Sequence, residues 1–398
     1  MKSPIINSIL DSDTYKFSMQ QWVRHNAPRL KVEYDFKCRN AGVDLSPYAD
    51  EIREEIDHYT TLSLTEDEQK WLESNITYLS SDYIRSLRDI RLCEDCVQVS
   101  KQGEPFTLTV KGNWYETILF EVPVLAIINE VYFRHQGDTE ELVANGRQRL
   151  NDKIAWLLQN ADVPVNIMEF GTRRRFSGNW QKEVVEKLNQ KFGYYQSASP
   201  YINLIGTSNV KMAQELGLKA FGTMAHEYLQ AHQVLAPIQH FQSAALQGWA
   251  DEYRGNLGIA LTDVVGFDAF LRDFHKGFAM LYAGCRQDSG DEYVWGDKLV
   301  NHYKGFDIDP MTKIGVFSNS LDFKKTLDIA RYFDGKIKTQ FGLGTNLTND
   351  MGIPALNIVI KMTQADGMPV AKIADGDGGK EMCKDPVYMA WLKQVVGK

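Results

Sequence analysis

Cysteine is scarce in this sequence, at five residues in 398. So sparse and odd a set excludes a disulfide scaffold. The single Cys93–Cys96 CxxC has no second pair and no nearby histidine, which argues against a zinc site. Long apolar runs are also missing: the best candidate, 118–128, is short and carries Glu121. Asp11 and Asp13 follow closely behind a weak apolar patch, which is unlike a secretory signal. Positive charge is not in excess, with 44 Lys and Arg against 52 Asp and Glu and a net charge of -8. That balance argues against broad nucleic-acid binding and leaves room for local basic sites. No low-complexity tract interrupts the chain. These absences leave a reduced, cytoplasmic, enzyme-sized protein whose 43% hydrophobic residues suffice for one large core or two moderate ones.

What is present divides into two rhythms. In the first 135 residues, helical patterns cover 15–24, 48–61 and 65–74. Lys31 to Arg39 alternates strictly, as a half-exposed strand does. Alternation returns over 104–110 and 114–120, with Lys111-Gly112-Asn113 between them as a hairpin turn. Residues 122–160 are mostly helical. From 162 to 345, short apolar runs end at Phe170, Ile205, Phe221, Leu261, Ala283, Phe317 and Phe341, each followed by small or polar residues. Amphipathic helices over 180–192, 266–274 and 322–333 fill several gaps. Alternating strands and helices predict a parallel sheet closed as a β/α barrel. A doubly wound sheet is the alternative, weakened by the lack of GxGxxG after the first strand. The tail returns to strand patterns over 356–362 and 369–373. The expected fold is therefore α/β: an irregular β/α barrel over 136–349, plus an α+β domain over 1–135. The antiparallel sheet of that domain is completed by the tail, 350–398.

Barrel active sites form where strands end, so the polar tips are the candidate chemistry. The segment Phe221-Gly222-Thr223-Met224-Ala225-His226-Glu227-Tyr228 reads as a buried strand, 218–221, turning into a helix over 227–233. This puts His226 beside a helix N-terminus, where an imidazole can act as base or nucleophile. Arg173, Arg174 and Arg175 supply cations, and 206–209 and 342–345 supply backbone amides able to cradle a phosphate. Asp263 and Asp288 supply carboxylates, suited to Mg²⁺ or to developing positive charge. Each has a plainer reading: a solvated helix start for the arginines, helix caps for Asp263 and for 11–16, ordinary turns for 288–291 and 341–345. Six or seven such groups on one face are harder to explain that way.

Asp13-Thr14-Tyr15-Lys16, Phe36-Lys37-Cys38-Arg39, Phe170-Gly171-Thr172-Arg173-Arg174-Arg175, Gly206-Thr207-Ser208-Asn209, Ala225-His226-Glu227, Arg286-Gln287-Asp288-Ser289-Gly290 and Phe341-Gly342-Leu343-Gly344-Thr345 together resemble the nicotinate phosphoribosyltransferases, nearly end to end. The resemblance implies transfer from phosphoribosyl pyrophosphate to nicotinate, with ATP as co-substrate through a phosphorylated His226, and Mg²⁺. It implies a pyridine ring between Phe170 and Tyr15, with Arg173 and Arg39 on phosphates and Arg286 beside the ring or ribose. Tyr15 and Arg39 would reach in from the partner of a homodimer. Thr207 and Ser208 would touch the substrate, Gly342, Gly344 and Thr345 would hold the 5′-phosphate, and Asp288, then Asp263, would face the ribose. Nicotinamide-using relatives carry Asp where this chain has Ser208, and Ser can donate to a carboxylate without repelling it, so the acid is the expected substrate. No metal ligands follow from the motifs. Rival readings are a lyase with a Schiff-base lysine at Lys338 or Lys361 and a nucleotide-binding regulator without catalysis.

Overall fold

Strict alternation over Lys31–Cys38 does form a strand, β1, with Val32 and Tyr34 buried. The structure, a computed structural model, describes residues 3–193, 198–376 and 381–398. Two further strands, β2 (Val97–Val99) and β3 (Leu108–Asn113), follow helices at Ala49–Thr60, Glu66–Asn75 and Ser81–Asp89. The hairpin expected at 111–113 is not there. Those residues lie in β3 and pair antiparallel with β1, Lys31 opposite Asn113 and Glu33 opposite Lys111. The chain turns at Asn113 instead, whose side chain accepts from Tyr115 N at 3.0 Å and starts a short helix, Trp114–Thr117. Trp114 and Ile118, read as strand residues, are buried at the start and just past the end of this turn. The hairpin lies earlier, where Val97 pairs with Val110 and Val99 with Leu108.

Six parallel strands follow: β4 (Val165–Glu169), β5 (Ile202–Thr207), β6 (Ile259–Leu261), β7 (Gly284–Gln287), β8 (Ile314–Phe317) and β9 (Lys338–Leu343). Their order is β5-β4-β9-β8-β7-β6, so chain-order neighbours pair except between β5 and β6, and β9 pairs back onto β4. The anticipated strand at 218–221 shrinks to one bridge, Ala220 beside Thr207. Gly217, in the left-handed region at φ 63°, ends the preceding helix, and a Cβ on Gly222 would lie 2.8 Å from Tyr15 N. Between these two constraints there is no length for a ladder. Phe221 N–H donates to Thr207 O at 2.8 Å, and the Thr223 hydroxyl donates to Ile259 O at 3.0 Å, so this segment spans from β5 to β6. The apolar run ending at Ala283 is a helix, Lys276–Leu281, and the strand is the polar stretch after it. A Cβ on Gly284 would lie 1.9 Å from Ile314 O, so only glycine admits β8 there.

The tail supplies β10 (Ile358–Ala365) and β11 (Met368–Pro369), giving an antiparallel sheet in the order β11-β10-β1-β3-β2. β10 pairs with β1 from Val32–Ala365 to Cys38–Ile358. The N-terminal segment is fastened to the parallel sheet by a fully buried ion pair. Arg175 donates to both Asp11 oxygens at 2.7 and 2.8 Å, and Asn209 Nδ2 adds a bond of 2.7 Å. Arg175 is thus a joint rather than a third cation at the strand ends. Among the described residues no helix is long and apolar enough to cross a membrane.

Candidate active site

Ala225 is extended and His226 begins the helix His226–Leu235, so the imidazole sits where the chain changes direction. Its ring is buried and faces groups from three other elements. Nε2 is 2.9 Å from Asp263 Oδ1, which follows β6, and 3.6 Å from Asp288 Oδ2, which follows β7. Lys372, between β11 and the final helix (Pro386–Val396), brings its Nζ to 2.6 Å of the same nitrogen and 2.9 Å of Asp263 Oδ2. Burial and the Lys372 charge pull His226 down to about 4, against the upward pull of Asp263, so the ring is neutral at neutral pH. Burial pushes Asp263 up, but Lys372 and His226 outweigh it and hold the carboxylate well below its usual range. Asp263 is no helix cap. Its other oxygen accepts from Ser289 Oγ at 2.6 Å, while Asp375 caps the helix Phe267–Asp273 through Phe267 N. The oxygen and nitrogen atoms of His226, Asp263 and Asp288 lie within 4.8 Å of one another, close enough for a cation. The Lys372 ammonium already serves that purpose on the Asp263 side.

This cluster opens into a cavity of about 600 Å³ between the parallel-strand ends and the antiparallel sheet. Of the residues singled out from sequence, Tyr15, Arg39, Phe170, Arg173, Ser208, His226, Arg286, Asp288, Gly342, Gly344 and Thr345 line it. Asp263 lies behind His226. Thr207 is fully buried outside the lining, its hydroxyl donated to Glu169 at 2.6 Å. Tyr15 and Arg39 both line the cavity of their own chain. Thr14 N–H donates to Ser208 O at 2.7 Å and Arg39 N–H to Asn357 O at 2.9 Å, which fixes both segments at the rim. Ser208 lines the cavity with its hydroxyl engaged. Its hydroxyl proton is donated to Asp13 Oδ1 at 2.7 Å, so that donor is already engaged by a protein carboxylate. Burial raises Asp13, outweighing Arg173 and Ser208. Asp13 holds the N-cap position of its helix (Thr14–Asn26) without a side-chain cap bond.

Glycine matters here at two positions. A Cβ on Gly342 would lie 2.4 Å from the Phe170 ring, so the missing side chain is what seats that aromatic face. After β9 the chain turns through Gly344 into Thr345–Thr348, and the N–H groups of Gly344, Thr345 and Asn346 meet no acceptor among the described residues. Three adjacent free amides make an anion cradle. Other buried polar atoms on the lining also lack partners among the described residues: Tyr15 OH, Arg39 Nε, Arg286 Nε and Gln230 Oε1. Such atoms are matched by a ligand in a working site.

Several lining groups carry no strand-end signature. Glu121 and Glu227 line the cavity and are bridged by Lys16, fully buried behind it, and Tyr34 OH donates to Glu227 at 2.6 Å. Glu121 also faces Arg173 Nη1 at 3.6 Å and is held down to about 2; burial alone would raise it, but Lys16 and other cations dominate. Lys361, inside β10, lines the cavity with no carboxylate at ion-pair distance among the described residues. Burial pushes it down to about 7, with Lys372 and Arg173 adding to the shift against Glu121. Lys338, the other lysine considered for covalent chemistry, is exposed at the start of β9. A lysine or glutamate in an otherwise apolar window, such as Lys361 or Glu121, is the one sequence sign these residues leave. Lys372 leaves less, since only the fold brings it to His226.

The family model described as "Nicotinate phosphoribosyltransferase (NAPRTase) family" matches residues 165–398, and that of its N-terminal domain matches residues 10–129. The chain belongs to the nicotinate phosphoribosyltransferase family. Curated family members named nicotinate phosphoribosyltransferase agree with it along their length. One from Bordetella bronchiseptica is 47% identical, covering 98% of this chain and 95% of its own. One from Cupriavidus necator is 48% identical, covering 98% of both. A crystal structure of nicotinate phosphoribosyltransferase from Vibrio cholerae superposes with TM-score 0.92 at 35% identity, covering 100% of this chain and 95% of that one. Both the parallel and the antiparallel sheet are therefore family architecture.

Proposed function

We propose that this cavity transfers a phosphoribosyl group from phosphoribosyl pyrophosphate to nicotinate, giving nicotinate mononucleotide and pyrophosphate. The observation carrying this reading is the convergence, in one cavity, of free backbone amides, unpartnered arginine and tyrosine atoms, and a buried imidazole–carboxylate cluster. The pyridine nitrogen attacks ribose C1′ as the bond to pyrophosphate breaks, and the leaving group keeps the electron pair. Phe170 and Tyr15 hold the flat ring, and Arg286 orients it. Asp288 faces the positive charge that develops on the ribose. The 5′-phosphate sits on the amides of 344–346, with Gly342 supporting Phe170, while Arg39, Arg173 and Lys361 meet the pyrophosphate.

ATP enters as co-substrate with His226 as phosphoryl acceptor. Nε2 is occupied by Asp263 and Lys372, so Nδ1 attacks the γ-phosphorus, the β–γ bridging bond breaks and ADP departs with its electrons. Asp263 stabilises the resulting ring charge. Water then takes the phosphoryl group and restores the neutral imidazole. Asp288 would hold Mg²⁺, being the more exposed of the two carboxylates, while Asp263 is paired with Lys372. When bound, Mg²⁺ neutralises phosphate charge. The strand order and the bridge at 219–223 support an irregular barrel, and we place the domains at 1–135 with 350–398, and 136–349. All five cysteines are free thiols, in keeping with a cytoplasmic setting. A homodimer with a shared active site belongs to this reading.

The test is nucleotide formation from phosphoribosyl pyrophosphate and Mg²⁺ with nicotinate or nicotinamide, with and without ATP. Faster use of nicotinate with ATP supports every part; no consumption of either base overturns the reading. The position of Lys361, buried and at about 7, favours a second reading, Schiff-base chemistry on a carbonyl substrate. Borohydride trapping of a substrate on Lys361 would establish it.

A further inference from the structure

Two partners compete for one ring nitrogen of His226. Asp263 Oδ1 lies 2.9 Å from Nε2 and Lys372 Nζ lies 2.6 Å from it. A carboxylate only accepts and an ammonium only donates. A neutral ring can therefore satisfy one of them at a time. With its proton on Nε2 it donates to Asp263 and repels the ammonium. With its proton on Nδ1 it accepts from Lys372 and leaves the Asp263 oxygen facing a lone pair. Only the first form has a free lone pair on Nδ1, the ring nitrogen that makes no hydrogen bond among the described residues.

Lys372 is fixed by backbone contacts to the two elements it bridges. Ala371 N–H donates to Gln233 Oε1 at 2.8 Å and Gln233 Nε2 returns a bond to Ala371 O at 2.7 Å, on the helix that starts with His226. Ile373 N–H donates to Val264 O at 2.7 Å, next to Asp263. The lysine side chain is only 4% exposed, yet it lines the cavity. Its second contact, Asp263 Oδ2 at 2.9 Å, gives the ammonium a foothold when it leaves the ring.

The geometry points to Lys372 as a tautomer latch on His226. Without a bound anion, the ammonium occupies Nε2 and keeps the ring proton on Nδ1. A polyphosphate entering the cavity draws the ammonium away, Nε2 gains a proton from solvent and donates it in a hydrogen bond to Asp263, and Nδ1 releases its proton to solvent and becomes the free nucleophile. The proton relocates between ring nitrogens and the charge of the ring is unchanged. Lys372 is a positioning residue, acting through His226, and the latch rests on the reading of His226 as phosphoryl acceptor. It ties exposure of the nucleophile to arrival of the group it attacks.

Full-length protein labelled with ¹⁵N-histidine reports which ring nitrogen carries the proton, with His226→Ala assigning the signal. The wild type is expected to hold its proton on Nδ1 alone and to switch to Nε2 with inorganic tripolyphosphate, a probe for ATP. Pyrophosphate, a probe for the other substrate, tells which phosphate source releases the latch. Lys372→Met is expected to show Nε2–H with or without anion. A wild-type ring protonated on Nε2 before any anion is added overturns the proposal, as does an unchanged Lys372→Met tautomer. The wild-type titration decides alone if that variant does not fold. A switch without any phosphohistidine after incubation with ATP would sink the acceptor reading and leave the latch. Phosphohistidine formed without a switch would sink the latch.

Discussion

The two sheets bring opposite materials to one cavity. The parallel sheet and its following turns offer a mixture: His226, Asp288, Arg173, Arg286 and the free amides of 344–346. The antiparallel sheet built from both ends of the chain, with the segments that leave it, brings cations: Lys361 in β10, Arg39 just past β1 and Lys372 beyond β11. The parallel side places its groups at strand ends, where backbone amides and carboxylates point along the sheet. The antiparallel side lies across those ends like a lid, so Lys361 in mid-strand faces the same space. An anionic substrate held between them meets reactive groups on one side and fixed cations on the other. Positive charge of that kind needs no strand end, only a face.

Separating the walls is the most damaging way to break this arrangement. Arg175→Met leaves Asp11 buried without its partner, and such changes cost about 3–5 kcal/mol. The expected result is a large fall in the denaturation midpoint together with loss of activity. Asp11 is held below its usual range; burial opposes this, and the Arg175 charge dominates. Its contribution is therefore complete above the unfolded carboxylate range and lost as pH falls through the folded value. Acid unfolding of Arg175→Met should lack that component.

On the parallel wall, Asp288→Asn should lower kcat by about 10²–10³-fold while leaving the fold intact, the scale of a lost electrostatic stabiliser. Equal activity in that variant would remove Asp288 from the chemistry. On the antiparallel wall, Lys361→Met should raise KM for phosphoribosyl pyrophosphate by about ten-fold, roughly the 1.4 kcal/mol of a single charge contact. The Lys361 cation is present below about 7 and lost above it, so kcat/KM for that substrate should fall as pH rises through about 7. A variant that keeps this limb would assign the titration elsewhere. Ser208→Ala should have the smallest effect, because the Ser208 proton goes to Asp13 rather than to the ring substituent. Preference for nicotinate over nicotinamide is expected to change less than about ten-fold, one hydrogen bond's worth. A larger change, read from paired kcat/KM values, would restore Ser208 as a direct contact.

Much of the parallel wall is legible in the sequence. Val165–Glu169 runs into Phe170-Gly171 and Ile314–Phe317 into Ser318, and buried parallel strands have that texture. The glycines at 342 and 344 end β9 as expected, while His226 and Asp288 follow segments whose strand assignment the fold changes. The errors share a cause. The hairpin at 111–113 and the strand at 218–221 were both read from local alternation or apolarity, while pairing partners far along the chain decided them: β1 claimed 111–113, and Tyr15 crowded Gly222. Ser208 shows how a distant partner enters at the level of one proton. Its residue type allows donation to a ligand, and Asp13, 195 positions away, takes the proton first.

The sequence by itself determined the alternation of strands and helices, the strand-end residues, and the absence of any membrane-length run or disulfide framework. Those properties depend on spacing and composition, which a linear chain carries whole. Tertiary structure alone decided which cations face the site, that Arg175 is a buried joint, and that Lys372 meets the His226 ring. The reason is physical. Contacts such as Lys372 with His226, 146 residues apart, exist only after loop closure has brought separate elements together, and no local pattern encodes the distance at which they meet.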